Sequence, residues 1–223
     1  MDIELRNVWY SYDGVNYVLK GVSLKLSSGF HIVVGPNGSG KTTLLKIASL
    51  IYKPVRGEVI VNNSNYWALS PNNTLIRKEV VYVHERALLI RGSVKNNLEL
   101  GLKLRGINDD STLKYFIERY NLFDIIKKDV RKLSAGQAKL VSIIRALAVK
   151  PKALLLDEPL NHIDMNNAVL LIEDLTRLVR DGSTVVVATH YITPDLEGLA
   201  DSMYEVVNGV LTSSTSFRAR IRY

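Results

Sequence analysis

Apolar and polar positions alternate along residues 2–10 and again along 18–26, with the turn-like Asp13-Gly14-Val15-Asn16 between them. A period of two marks half-buried strands, so the two runs are expected to pair antiparallel. His31-Ile32-Val33-Val34 is a short apolar run, read as a buried strand entering a glycine-rich loop. Lys41 to Leu50 then carries Leu44, Leu45, Ile47 and Ala48 at helical spacing. "GEVIV" from Gly57 and "VVYV" from Val80 are further strand candidates.

From about Glu85 to Lys150 the pattern changes to a period near 3.6. "STLKYFIERYNLFDIIKK" places Leu113, Phe116, Ile117, Tyr120 and Ile125 on one helical face. The segment after Ser134 does the same with Leu140, Ile143, Ile144 and Leu147, and should stop at Lys150-Pro151. Strand patterns return in "ALLLD" from Ala153 and "TVVVATH" from Thr184. A helix at 166–179, closed by Asp181-Gly182, separates them. Strand, helix, strand in that order implies a parallel sheet. The expected architecture is one α/β domain over residues 1–223. Its core, with an antiparallel β part, comes from 1–84 and 151–223, and a helical subdomain from 85–150 interrupts it.

The sequence has 29 Lys and Arg against 22 Asp and Glu, a net charge of +7, and no cysteine. The absence of cysteine excludes disulfides, thiolate metal sites and cysteine nucleophiles. The positive excess suits an anionic nucleotide, a nucleic acid or an acidic membrane surface without choosing between them. No apolar run approaches the roughly 20 residues needed to cross a bilayer. The acidic, alternating N-terminus is unlike a secretion signal.

Gly35-Pro36-Asn37-Gly38-Ser39-Gly40-Lys41-Thr42 fits G-x-x-x-x-G-K-[ST] between a strand and a helix. Gly38 and Gly40 let the backbone wrap around phosphate oxygens. Lys41 can reach the β- and γ-phosphates, and the Thr42 hydroxyl can ligate Mg²⁺. Gly35, Asn37, Ser39 and Thr43 complete the candidate cradle. A second acid cluster, Asp157-Glu158, ends the "ALLLD" strand, where open α/β sheets line their ligand crevice. Asp157 is placed to help hold Mg²⁺ and Glu158 to orient or deprotonate an attacking water. His190 ends another buried strand on the same side and is read as a phosphate or water contact. Tyr12, in the first turn, could stack on a purine. Ser134, in Leu133-Ser134-Ala135-Gly136-Gln137, is a good helix N-cap, and a helix N-terminus suits a phosphate. The chain therefore carries two phosphate-binding devices.

"GPNGSGKTT", "LSAGQ", "LLLDEP", "NHID" and "VATH", in this order and spacing, resemble the nucleotide-binding subunits of ATP-binding cassette (ABC) transporters from Ile3 to about Asn208. The resemblance implies a P-loop NTPase core of RecA type and Mg²⁺-ATP as cofactor. It also implies a second ABC ATPase subunit as partner, closing head to tail so that Ser134, Gly136 and Gln137 face the ATP held by the partner's Lys41. Tyr12 matches the adenine-stacking aromatic, Asp157 the Mg²⁺-associated aspartate and Glu158 the catalytic glutamate. Asp164 matches the loop that crosses the dimer seam, and His190 the switch histidine. With Lys41 these residues make up the implied catalytic and nucleotide-binding set. A transmembrane permease on separate chains is the further partner, at the inner face of the cell membrane, and no nucleic acid is expected.

Three positions depart from the family pattern. Ala135 replaces the usual glycine of the signature, and Glu85 stands where the loop entering the helical insert usually has glutamine. A glutamate there can still accept a bond from Mg²⁺-bound water. "LNHID" differs from the common small-residue seam loop. After Glu85, Leu88, Leu89 and Ile90 either line a groove for a permease helix or pack the insert. The tail "SFRARIRY" reads as a half-buried strand with a basic face, or as a contact with acidic headgroups or the permease. The competing functions are a soluble single-cassette ATPase, for example in cofactor assembly, and a nucleotide-binding regulator without turnover. The presence of both Glu158 and His190 speaks against the regulator.

Overall fold

The computed structural model describes residues 1–68 and 74–216, and the tail reading at 217–223 lies outside them. β1 (Ile3–Ser11) and β2 (Tyr17–Leu26) pair antiparallel, with Ile3 opposite Leu26 and Ser11 opposite Tyr17. β3 (Gly29–Val34) enters the glycine loop, and α1 (Lys41–Ala48) leaves it. β4 (Arg56–Val61) returns to pair antiparallel with β1 and carries the short β5 (Ser64–Asn65). The result is a four-stranded sheet in the order β2-β1-β4-β5. Gly57 is required on β4, since a Cβ there would lie 2.2 Å from the Asn7 carbonyl oxygen.

α2 (Thr74–Glu79) leads into β6 (Val80–Val83), followed by α3 (Val94–Lys103), α4 (Asp110–Arg119) and α5 (Ala135–Leu147). β7 (Ala153–Asp157), α6 (Met165–Arg180) and β8 (Thr184–Thr189) form the expected parallel unit. α7 (Pro194–Leu199), β9 (Ser202–Val207) and β10 (Val210–Ser216) complete the described chain. The second sheet runs β10-β9-β3-β8-β7-β6, parallel except for β10.

Successive residues of the central strands face opposite sides, so both faces of this sheet are apolar. Ile32, Leu154, Leu156, Val185 and Val187 pack with residues of α3 to α6. Val33, Ala153, Leu155, Val186 and Ala188 pack with α1 and the antiparallel sheet. The helical elements are pinned to α6 by the buried Asp174, which accepts bonds from Arg119 Nε at 2.9 Å and Tyr120 Oη at 2.8 Å.

Two helix expectations are corrected. The single helix expected from Ser111 to Lys128 stops at Arg119, where Tyr120 caps it. Asn121 then adopts φ 47°, a left-handed conformation that asparagine tolerates, and turns follow to Lys128. α1 ends at Ala48, two residues short of the expected Leu50, which itself takes φ 64°.

Candidate functional site

The loop between β3 and α1 is shaped by contacts rather than by glycine content alone. Gly35 passes so close to β9 that a Cβ would sit 2.1 Å from the Val206 carbonyl oxygen. Gly40 is the N-cap of α1 at φ 108° and offers no side-chain bond. The first N–H groups of α1 are thereby left to an anion. Gly38, at φ 78°, has open space where a Cβ would be. The buried Ser39 hydroxyl has no hydrogen-bond partner. Lys41 is buried and donates to the carbonyls of Gly35 at 2.7 Å and Pro36 at 3.1 Å.

The second half of the site is the C-terminal edge of the parallel sheet. Thr42 Oγ1 donates to Asp157 Oδ2 at 2.7 Å, and Tyr82 Oη reaches the same oxygen at 3.1 Å. Burial, reinforced by the Asp157 charge, raises the Tyr82 hydroxyl far above its ordinary pKa and keeps it a donor. Glu158 takes φ 44° just past β7, with its N–H on the Ala188 carbonyl at 2.9 Å. That conformation costs a side-chain-bearing residue about 1 to 2 kcal/mol. It turns the carboxylate toward His190 Nδ1, 2.9 Å from Oε1, while Thr189 Oγ1 donates to Oε2 at 3.2 Å. Lys41 Nζ is 4.0 Å from Glu158 Oε1. Asn37, Gly38, Lys41, Thr42, Glu85, Asp157, Glu158, Asn161 and His190 line one polar cleft of about 240 Å³.

A phosphate suits this cleft: the uncapped N-terminus of α1 and the Lys41 ammonium both belong to its lining. Among the described residues no three acids or histidines form a metal cage. The hard oxygens of Thr42 and Asp157 instead fit Mg²⁺ that arrives with phosphate oxygens, the usual manner of Mg²⁺ binding.

Tyr12 lies outside the cleft and is tied to α1, which leaves it. Its hydroxyl is 3.0 Å from Thr43 Oγ1, and its ring stands edge-on to Tyr10 and Tyr52. Ser134, Gly136 and Gln137 do not line the cleft. Ser134 caps α5 in a reciprocal box with Gln137, at 3.2 and 3.1 Å. Gly136 meets the loop that follows Glu158 in its own chain, expected from the sequence to lie at a dimer seam, where a Cβ would be 2.2 Å from the His162 carbonyl oxygen. Ala135 occupies the first turn of α5 with no positive φ, so its side chain is tolerated. Asp164 caps α6 through Asn167 and is likewise away from the cleft.

A larger groove of about 630 Å³ opens between β6 and α3. Leu88 and Ile90 line it and are exposed, whereas Leu89 packs inward against the core. Tyr82, Asn161 and Lys139 were not singled out by sequence reasoning. Of these, only Lys139 left a signal, a charged residue four before Ile143 on an otherwise apolar helix face. Its ammonium is buried among three backbone carbonyls, and burial pushes its pKa down to about 8 against the pull of Asp157, Glu85 and Glu158.

A parallel sheet whose strand β3 enters a glycine loop and helix, with two acids at the end of β7, one strand further along beyond β8, defines a P-loop nucleotide-binding α/β protein. The ABC transporter family matches this chain over residues 19–161. A putative ABC transporter ATP-binding protein of Pyrococcus horikoshii is 33% identical over 212 residues, 94% of this chain and 81% of that one. The tungstate uptake system ATP-binding protein TupC of Peptoclostridium acidaminophilum is 34% identical, covering 85% of this chain and 87% of its own length. The spermidine/putrescine import ATP-binding protein PotA of Mycoplasma capricolum is 35% identical across 84% of this chain, which spans about half (54%) of PotA. Among solved structures, the dimeric bacterial ABC transporter cassette MJ0796 superposes with a TM-score of 0.85 at 29% identity, covering 98% of this chain and 100% of that one. A post-hydrolysis dimer of the same cassette, bound to ADP and Pi, gives 0.84 at 28% identity, with the same coverage of both chains. The chain belongs to the ABC transporter family and is an ABC ATPase.

Proposed function

We propose that this chain is the ATP-hydrolysing subunit of a membrane transporter, and that two such subunits close around two ATP to drive a separate permease. The observation that carries this reading is the separation of the two phosphate devices. Lys41 and the acids share one cleft, while Ser134, Gly136 and Gln137 at the α5 terminus are not part of its lining. A second subunit supplies the missing half to each. The dimeric MJ0796 cassette supports this arrangement. Among the described residues no helix is long and apolar enough to cross a membrane. In this reading the permease is on other chains, docked at the Leu88 and Ile90 groove, with the ATPase peripheral on the cytoplasmic face. The uptake names of two relatives support an importer as that assembly.

Within the closed site the residues divide the work. The loop N–H groups and Lys41 hold the β- and γ-phosphates, and Tyr12 stacks on the adenine. Thr42 and Asp157 would hold Mg²⁺, with Glu85 on the same cleft wall, and the ion when bound would supply positive charge to the phosphate oxygens. Glu158 accepts the proton of the attacking water as its oxygen bonds to the γ-phosphorus and the bond to the β–γ bridging oxygen breaks. His190 fixes the Glu158 carboxylate and meets the γ-phosphate. Ser134, Gly136 and Gln137 of the partner close over that phosphate, and Asp164 lies at the seam.

Glu158→Gln tests the reading. This variant should bind ATP, lose turnover and run as a dimer in size-exclusion chromatography with light scattering, returning to monomer with ADP. Retained turnover would remove Glu158 as the base. A monomer at saturating Mg²⁺-ATP would remove the composite site.

A further inference from the structure

Lys139 lies in the second turn of α5 and is 3% exposed. Its Nζ donates to the backbone carbonyl oxygens of His84 at 3.0 Å, Glu85 at 2.9 Å and Asp157 at 2.9 Å. An ammonium has three N–H donors, and here each has one carbonyl. The acceptors come from the loop after β6 and from the end of β7, whereas the lysine comes from the helix that Ser134 caps. One atom therefore joins three segments that are far apart in sequence. No carboxylate touches it, and Asp157, Glu85 and Glu158 balance its charge only from a distance. Taking an ammonium out of water costs several kcal/mol, and a well-packed apolar residue would often be at least as stable. Stability alone is a poor account of this lysine. Geometry is a better one.

We propose that Lys139 is a positioning residue that holds the Glu85 loop and the Asp157 strand end in fixed register with the signature helix. The inference rests on the composite-site reading above. Under it, the acids serve the chain's own ATP while the Ser134 terminus serves the partner's. The Lys139 ammonium is then a direct physical link between the two active sites within one subunit, beside the contact of Gly136 with the His162 carbonyl. A shift of the Glu85 loop moves α5, and closure of α5 onto a partner's phosphate pulls on the carbonyl of Asp157. His84 is drawn into the same link through its carbonyl, and it also lines the groove beside Leu88. The permease groove, the metal-side acids and the signature terminus thus share one three-way anchor.

The test compares Lys139→Met, which keeps length and volume without donors, with Lys139→Arg, which keeps donors and charge. ATP affinity of the full-length protein, steady-state kcat and KM, and hydrogen exchange at residues 84–87 and 134–138 are measured for each. Lys139→Met should keep ATP affinity within about threefold and lower kcat about tenfold or more, the cost expected when reacting groups are misplaced. Exchange should quicken in both segments together. Lys139→Arg should restore most of the kcat. If Lys139→Met does not fold, Lys139→Gln, which loses the charge and one of the three donors, is read instead: it should lower kcat in the same direction by less, and a wild-type kcat with unchanged exchange in it overturns the proposal. A wild-type kcat in the donor-free variant, or a loss that arginine does not restore, overturns the proposal. Glu158→Gln with Lys139 intact separates the two ideas. If it stays monomeric with ATP, the composite site falls, and if it dimerises while Lys139→Met turns over normally, only the anchor falls.

Discussion

His190 Nδ1 lies 2.9 Å from Glu158 Oε1, and the adjacent Thr189 hydroxyl holds the other carboxylate oxygen at 3.2 Å. Under the proposed reading Glu158 is the base, and a carboxylate with both oxygens engaged has little freedom to rotate away from its water. His190→Ala should therefore lower kcat by about 10- to 100-fold while leaving ATP affinity within about threefold. His190→Gln, which can still donate to the carboxylate, should retain more. Phosphate-release assays at saturating Mg²⁺-ATP check both.

Tyr12 is 58% exposed and tethered through its hydroxyl to Thr43 on α1. A ring presented this way is available to a base. Tyr12→Ala should weaken ATP binding by about 1 to 3 kcal/mol, the usual worth of an aromatic stacked on a base. Tyr12→Phe keeps the ring and loses one hydrogen bond of about 1 kcal/mol, so its affinity should stay within about fivefold. Fluorescent-nucleotide titration distinguishes the two.

Gly136 has no room for a methyl group against the His162 carbonyl. Gly136→Ala must push the seam loop aside, at a cost to folding of about 1 to 3 kcal/mol. The expected outcome is a Tm lowered by several degrees and an ATPase rate lowered by about tenfold or more, with ATP-driven dimerisation in the Glu158→Gln background weakened in parallel. A variant that dimerises and turns over normally would remove the contact from the mechanism.

His31 is buried on β3, its Nε2 donating to the Ser27 carbonyl at 2.7 Å and its Nδ1 unpartnered. Burial lowers its pKa, against weaker opposing effects of the Ser27 bond and Asp201. The folded state thus binds its proton less readily than the unfolded chain. Stability from this group is full above the unfolded value near 6.5 and is lost as pH falls toward the depressed folded value. The slope contributed is at most about 1.4 kcal/mol per pH unit. Denaturant melts between pH 7.5 and 5 should show this loss, and His31→Phe should flatten the curve.

Much of this molecule is legible in its pattern of residues. The antiparallel pair, the β7–α6–β8 unit and the glycine loop follow from periodicity and local turn chemistry, and the structure has each of them. Asp157, Glu158 and His190 converge because residues at the ends of adjacent parallel strands are neighbours in space. The limits were physical. Periodicity could not end α4 at Arg119, because Ile125 carries the apolar face of Phe116 and Tyr120 on past the point where Asn121 turns left-handed. Tyr82 looked like one more strand residue, since its bond to Asp157 depends on the pairing of β6 with β7. Lys139 makes contacts 18 to 55 positions away, and no local rule reports them.

The left-handed backbone at Glu158 sets two demands against each other at one position. Glycine or asparagine would relieve the local steric burden, and neither can serve as a base. A screen for heat resistance alone would be drawn toward such replacements, and under the proposed mechanism the sturdier proteins it returned would be inert. Attempts to harden this subunit should therefore leave that residue alone and work on surfaces far from the sheet edge.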